Sequence, residues 1–410
     1  MWTRMRLDIR WADLAYGLIS CAQPGSRERM LESTRLAWNE CGDSLITLSV
    51  RSGLDLLFRT LQLPAGSEVL MTALTVPDMV RIVRAHGLVP VPVEVDSDGR
   101  INVDSFAAAL TGKSKVFVVA HLFGGKASLE EVLPIARRHG LAVVEDCAQS
   151  FREVGERGHA DSTAVMYSFG PIKTATALGG AVVTIRSTEL RDKMHAVLSE
   201  DPVQSRFSFF KRVVRFALLK AATGRRCSAM LRCVVESFGF DFDSIATSSA
   251  KGFPQTTDSI TPFRKQPSLP LLRVMRRRWK YFDRSGIDRR IKLGRNLDSR
   301  IGLTRSKLHT YWVYPVFVHR PQELVERLRL AGYDATRQSR MALVPSNNTA
   351  AAVSKTDRAW SRVVFLPWYS DLTDDAISEM GDVVNDCNLA VTPTSLAVEI
   401  DVADLHVTKV

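Results

Sequence analysis

Between Leu45 and Leu198 short apolar runs alternate with longer segments in which apolar residues recur every three or four positions. The runs Leu45 to Ser49, Glu68 to Met71, Leu88 to Val95, Lys115 to His121, Leu141 to Val144 and Ala164 to Phe169 predict buried strands. Gly53 to Leu61, Met79 to His86, Val103 to Leu110, Leu129 to Arg138 and Glu189 to Leu198 predict the helices around them. This alternation with short loops is that of an α/β fold, a mostly parallel central sheet with flanking helices. Ligands of such sheets collect outside the carboxyl ends of the strands.

The pattern changes on both sides of this block. Residues before about 40 are helical in tendency, chiefly Arg27 to Cys41, and are expected to pack on the large domain or across a dimer. Phe207 to Phe240 reads as basic, aromatic-rich amphipathic helix, suited to capping a site or dimer seam, or to peripheral membrane contact. Asp241 to Thr261 is polar, as in a linker. The basic helix expected over Leu269 to Phe282, with Arg276, Arg277, Arg278 and Lys280, reads as a solvated face. Thr310 to Val318 and Val363 to Pro367 predict strands, and Pro321 to Leu330 and Thr373 to Val384 helices, of a small α+β domain. The expected organisation is a large domain over 1–200, a helical insertion and linker over 201–262, a small domain over 263–390 and a tail over 391–410.

Composition adds three constraints. A chain of 410 residues with 45% hydrophobic content can bury a large core shared by two domains. No apolar run approaches the roughly 20 residues of a membrane span, and Met1 to Arg10 has no secretory pattern. Six cysteines without CxxC spacing point to reduced thiols, a cytoplasmic location and no metal site. The formal charge of +11 is concentrated in Lys211 to Arg232 and Arg264 to Arg305 and favours an anionic partner. Nucleic acid is disfavoured, because aromatic residues are not interleaved with the Leu269 to Phe282 charges.

The candidate chemistry lies between Leu141 and Ile185. The first strand there ends on Asp146, and the Ala164 to Phe169 run carries Ser168 and delivers Lys173 into a loop closed by Gly179 and Gly180. A strand-end acid and an isolated loop lysine suit pyridoxal 5'-phosphate: the amine forms a Schiff base and the acid keeps the pyridine nitrogen protonated. Further upstream, the strand, turn and helix start around Arg51 to Leu54 form an anion site, where unpaired N–H groups and the helix dipole converge.

These segments resemble the DegT/StrS family of fold-type I aminotransferases, which mostly aminate nucleotide-linked keto-sugars. The matching text is Val-Val-Glu-Asp-Cys-Ala-Gln (143–149), Tyr-Ser-Phe-Gly-Pro-Ile-Lys (167–173) and Leu-Gly-Gly-Ala-Val-Val-Thr (178–184). The resemblance implies that Lys173 and Asp146 are catalytic, that Ala148 lies against one face of the cofactor ring, that Gln149 reaches its phenolic oxygen and Ser168 its phosphate. It places the phosphate also at Ser52, Gly53 and Leu54, where leucine stands for the family's threonine, with Arg51 adding charge. Val76 occupies the position of the usual stacking aromatic. Arg264 or Lys265 stands nearest the residue that crosses the dimer to the neighbour's phosphate, and His309 matches a histidine opening the small-domain strand. A homodimer, glutamate as donor and a keto-sugar acceptor are implied in the same way. A dehydratase, which replaces the lysine with histidine, is disfavoured by Lys173; a membrane-surface or regulatory protein on the same scaffold is the alternative.

Overall fold

The computed structural model describes residues 1–4, 6–222, 260–337, 341–345 and 355–387. The predicted tail and most of the predicted linker lie outside them. Helices α1 (Trp11–Ala22) and α2 (Arg27–Trp38) lead into β1 (Ser44–Thr47) and α3 (Val50–Leu61). There follow β2 (Glu68–Thr72), β3 (Leu74–Thr75), α4 (Pro77–Ala85), β4 (Val89–Val93), α5 (Val103–Ala109), β5 (Ser114–Ala120), α6 (Val132–Arg138), β6 (Ala142–Asp146), β7 (Ala164–Ser168), β8 (Ala181–Ile185), α7 (Thr188–Ser199) and α8 (Arg206–Ala222). After residue 260 come α9 (Leu269–Lys280), α10 (Ser285–Arg300), β9 (Tyr314–Phe317), α11 (Pro321–Leu330), β10 (Ala342–Leu343), α12 (Lys355–Ser361), β11 (Val363–Leu366) and α13 (Asp374–Asp386).

Seven strands form the central sheet in the order β1-β8-β7-β6-β5-β2-β4. The β4-β2-β5-β6-β7 pairs are parallel, and β8 runs antiparallel to both β7 and β1. The period-two alternation of side chains sorts β5 cleanly. Val116 and Val118 pack with Leu54, Leu57 and Met79 on one face, while Phe117 and Val119 meet Phe106, Val132 and Leu133 on the other. Burial on both faces explains the nearly continuous apolar runs.

The N-terminal segment does more than cover the large domain. Helix α1 packs on α9 and α8, while Trp2 N–H donates to the Gly332 carbonyl at 2.7 Å and Arg4 pairs with Asp334 at 2.8 Å in the small domain. The small domain has its own core around Tyr314, Tyr333, Trp368 and Ile377, and a β9-β11 antiparallel pair. The Thr310 to Val318 strand expectation is too long: residues before Tyr314 form an irregular segment, with Tyr311 at φ 49°.

The expected solvated face of α9 is also corrected. Arg277 Nε donates to Asp13 Oδ1 at 2.8 Å, and Arg278 Nη1 to Asp13 Oδ2 at 2.9 Å. Two guanidinium groups thus lock α9 to α1 around one buried carboxylate. Helix α8 buries Phe209, Val213 and Phe216 in the core next to Trp38 and leaves Phe207, Phe210 and Leu218 exposed. The rest of the predicted 207–240 helical region lies outside the described residues.

Candidate active site

Strand β6 carries Asp146 to the carboxyl edge of the sheet, as the parallel topology requires. Its carboxyl is buried and accepts the Ala148 N–H at 3.0 Å. Burial raises its pKa, against the opposing pull of that N–H and of Lys173, His121 and Arg51. The preceding residue, Glu145, points to the other side of β6. Burial acts to raise its pKa, but hydrogen bonds from His121, Ser162 and the His159 N–H outweigh this and bring it down to about 2. His121 Nδ1 accepts the Ala127 N–H at 3.0 Å, so its proton sits on Nε2 and is given to Glu145 at 2.8 Å. Both ring nitrogens are thereby engaged, and His121 is a structural residue that does not line the cavity.

The helix N-terminus at the expected anion site starts in a different register from the one expected. Helix α3 starts at Val50, with Ser49 as N-cap accepting the Ser52 N–H at 3.1 Å. Gly53 N–H donates to the Ser49 carbonyl at 3.0 Å and is spent inside the helix. Ser52, Gly53 and Leu54 are buried and absent from the cavity wall; Ser49, Val50 and Arg51 line it instead. Gly53 serves packing: a Cβ there would lie 2.7 Å from Val183 Cγ2. The serine N-cap rule, applied to Ser49 rather than Ser52, would have found this start. Arg51 faces the cavity with its guanidinium held by Asp78 at 2.6 Å.

Lys173 lies in the loop between β7 and β8, and its Nζ stands 4.1 Å from the Trp312 ring centroid. Trp312 Nε1 donates to the Ile172 carbonyl at 3.2 Å, so the two loops are pinned together. Trp312 was invisible to pattern reading, because it sat inside an assumed strand. Its position depends on Gly124, at φ 110°, where a Cβ would meet Trp312 N at 2.5 Å. Thr310 N–H donates to the Gly124 carbonyl at 2.8 Å and Val313 N–H to that of Phe123 at 3.2 Å. Phe123, Ala175, Leu178 and Tyr311 all have positive φ. Such strain in residues other than glycine gathers at functional sites.

Asp146, Ala148, Gln149, Ser168, Lys173, Arg51 and Val76 line a single cavity of about 810 Å³, together with Trp312 and Arg290 from the small-domain side. Gln149 Oε1 accepts the Phe123 N–H at 2.8 Å, which leaves its amide N–H groups on the cavity side, near Met341 Sδ. The set suits pyridoxal phosphate: an amine and a buried acid on one cavity, apolar Val76 and Ala148, an amide donor, and an open helix N-terminus for a phosphate. By contrast, Arg264 is committed within its own chain, its Nη2 pairing with Asp55 at 3.1 Å, and neither it nor Lys265 lines the cavity. His309 is buried and its pKa falls to about 3, through burial first and Arg305 second, so it stays neutral.

The fold is that of fold-type I aminotransferases. Residues 21–217 match the DegT/DnrJ/EryC1/StrS aminotransferase family. The chain is 36% identical over 141 residues to a protein of Geobacillus stearothermophilus described as a pleiotropic regulatory protein. That match covers 32% of this chain and 37% of the relative. Among solved structures it is similar to the aminotransferase TlmJ from Streptoalloteichus hindustanus, with TM-score 0.67, 16% identity, and 97% and 99% of the two chains covered. It is also similar to Helicobacter pylori PseC, an aminotransferase involved in pseudoaminic acid biosynthesis, with TM-score 0.64, 16% identity, and 94% and 98% covered.

Proposed function

We propose that the protein is a pyridoxal-phosphate-dependent aminotransferase, moving an amino group from an amino acid, with glutamate the expected donor, to a nucleotide-linked keto-sugar. The observation that carries this reading is the convergence of Asp146 and Lys173, from β6 and the β7-β8 loop, on one cavity. When bound, the cofactor supplies an electron sink. Asp146 would hold its ring nitrogen, and a cationic partner relieves the cost that burial imposes on that carboxylate. Lys173 would hold the aldehyde carbon and, once released, move a proton between the donor α-carbon and that cofactor carbon. Gln149 would orient the ring, Val76 and Ala148 would flank it, and Ser168 with the Val50 and Arg51 amides would take the phosphate. A homodimer is expected, completing the site from a second subunit.

The relative from Geobacillus supports a second reading, a regulatory protein on this scaffold; exposed Phe207, Phe210 and Leu218, with Lys211 beside Phe207, give such a protein a contact surface. The retained Lys173 favours the catalytic reading. The test is Lys173→Ala. The purified wild type should absorb in the visible with bound cofactor and lose this band on adding donor, and the variant should lack it from the start. An unchanged spectrum rejects the assignment.

A further inference from the structure

Helix α1 buries Leu14, Gly17 and Ser20 and turns Trp11, Ala12, Ala15, Ile19 and Ala22 to solvent. This outward side carries no charge, because the one acid of the helix, Asp13, is buried in its pair with Arg277 and Arg278. The solvent side of a helix is ordinarily polar. Helix α8 lies antiparallel beside α1 and is fastened to it at both ends. Arg206 Nη1, at the start of α8, donates to the Gln23 carbonyl just after α1 at 2.8 Å, and Lys220 Nζ, near its end, stands 5.9 Å from the Trp11 ring centroid. Between these ends Gly17 lets the helices approach: a Cβ there would lie 3.3 Å from Val213 Cγ2. Phe209, Val213 and Phe216 enter the core, while Phe207, Phe210 and Leu218 face out, with the first two rings stacked 6.3 Å apart. Trp11, Ile19, Phe207 and Leu218 are 54%, 55%, 66% and 67% exposed. Single exposed apolar residues are ordinary, but this many on two fastened helices form a patch, and such patches mark contact sites.

The charges of α8 narrow what covers it. Its basic residues are Arg206, Lys211, Arg212, Arg215 and Lys220, and its sequence holds no acid. Arg212 turns inward to the Leu178 carbonyl at 3.2 Å, whereas Lys211 lies over the exposed Phe207 ring at 4.9 Å. The acids that act on Lys220, Asp8 and Asp371, are already matched by Arg278 and Arg6. A second copy docking here about a two-fold axis would set these cations against themselves. An anionic lipid surface suits both features: the acyl boundary takes the aromatic and aliphatic side chains and the headgroups take the charges.

We propose that α1 and α8 together form a docking face for an anionic membrane surface. Among the described residues no helix is long and apolar enough to cross a membrane, so the contact is peripheral. Trp11 and Lys220 also line the cavity, and the docked surface therefore borders it. The proposal is independent of the chemistry assigned to Lys173.

The test sediments the purified protein with vesicles of phosphatidylglycerol and phosphatidylcholine, and with phosphatidylcholine alone. Binding to the anionic vesicles should be at least about 10-fold tighter and should weaken as salt is raised. Phe207→Ser/Leu218→Ser should bind about 10–100-fold more weakly, the scale of two apolar side chains kept out of the bilayer. Lys211→Glu should bind the anionic vesicles about 10-fold more weakly. Brominated lipid should quench the wild type more than Trp11→Phe, a readout that needs no change at α8. A wild type left in the supernatant with anionic vesicles, or variants that bind as the wild type does, overturns the proposal. A smaller oligomer in the double variant overturns it too, since the face would then be a subunit contact.

Discussion

Helices α9 and α10 follow one another and are both rich in arginine, yet their charges have opposite fates. On α9, Arg277 and Arg278 close on Asp13 and fasten this helix to α1. On α10, Arg290 reaches the cavity, bonded to Thr174 and to no carboxylate among the described residues. A cation whose partner is in the chain acts as a clamp, and one without such a partner is available to a ligand. Formal charge is silent on this distinction; only the position of the acids decides it.

The contrast can be broken from the α9 side first. Asp13→Ala leaves two arginines without their shared carboxylate and should cost about 3 kcal/mol, the usual scale for removing one partner of a buried pair. Denaturant unfolding would show this as a lower midpoint with an unchanged slope; an unchanged midpoint would mean that solvent already carries those charges.

Acid should have the next largest effect. Glu145 titrates near 4.5 when unfolded and at about 2 when folded, so its contribution is fully present above about pH 4.5 and is lost as pH falls towards 2. His309, neutral when folded, adds in the same direction: below its ordinary value of 6.5 the unfolded chain takes up the proton first. Unfolding followed from pH 7 to 3 should show steadily falling stability, and Glu145→Gln should flatten the lower part of that curve. A parallel curve for the variant would contradict the assignment to Glu145.

Gly124→Ala should cost about 1–3 kcal/mol, because the new methyl must displace the Trp312 backbone or abandon a left-handed turn. It should also raise substrate KM values through Trp312, which Trp312→Phe would reproduce in part. The smallest effect on folding belongs to Arg290→Met, where removal of an uncompensated cation should leave stability within about 1 kcal/mol of wild type or improve it. Asp13→Ala and Arg290→Met thus give opposite stability outcomes for two arginine-bearing helices, measured in one thermal-unfolding series.

The alternation of apolar runs was sufficient for the sheet, since strands buried on both faces must be apolar throughout and their helices must show a 3.6-residue stripe. It also placed Asp146, Ser168 and the Lys173 loop at one edge, because a parallel sheet carries its strand ends there, whereas Ala148 and Gln149 were singled out by the family resemblance. The helix start was misplaced by three residues: Ser49 and Ser52 are both acceptable N-caps locally, and in the fold Ser49 takes the cap while Gly53 packs against Val183. Trp312 and Arg290 could not be read from their neighbours in the chain. Both reach the cavity through contacts with residues more than a hundred positions away, namely Gly124, Ile172 and Thr174. Sequence therefore determined the scaffold and the residues on its strand ends, whose placement is a matter of local periodicity. The tertiary structure decided which charges are neutralised and which side chains close the cavity, because those depend on distances between segments that no local pattern encodes.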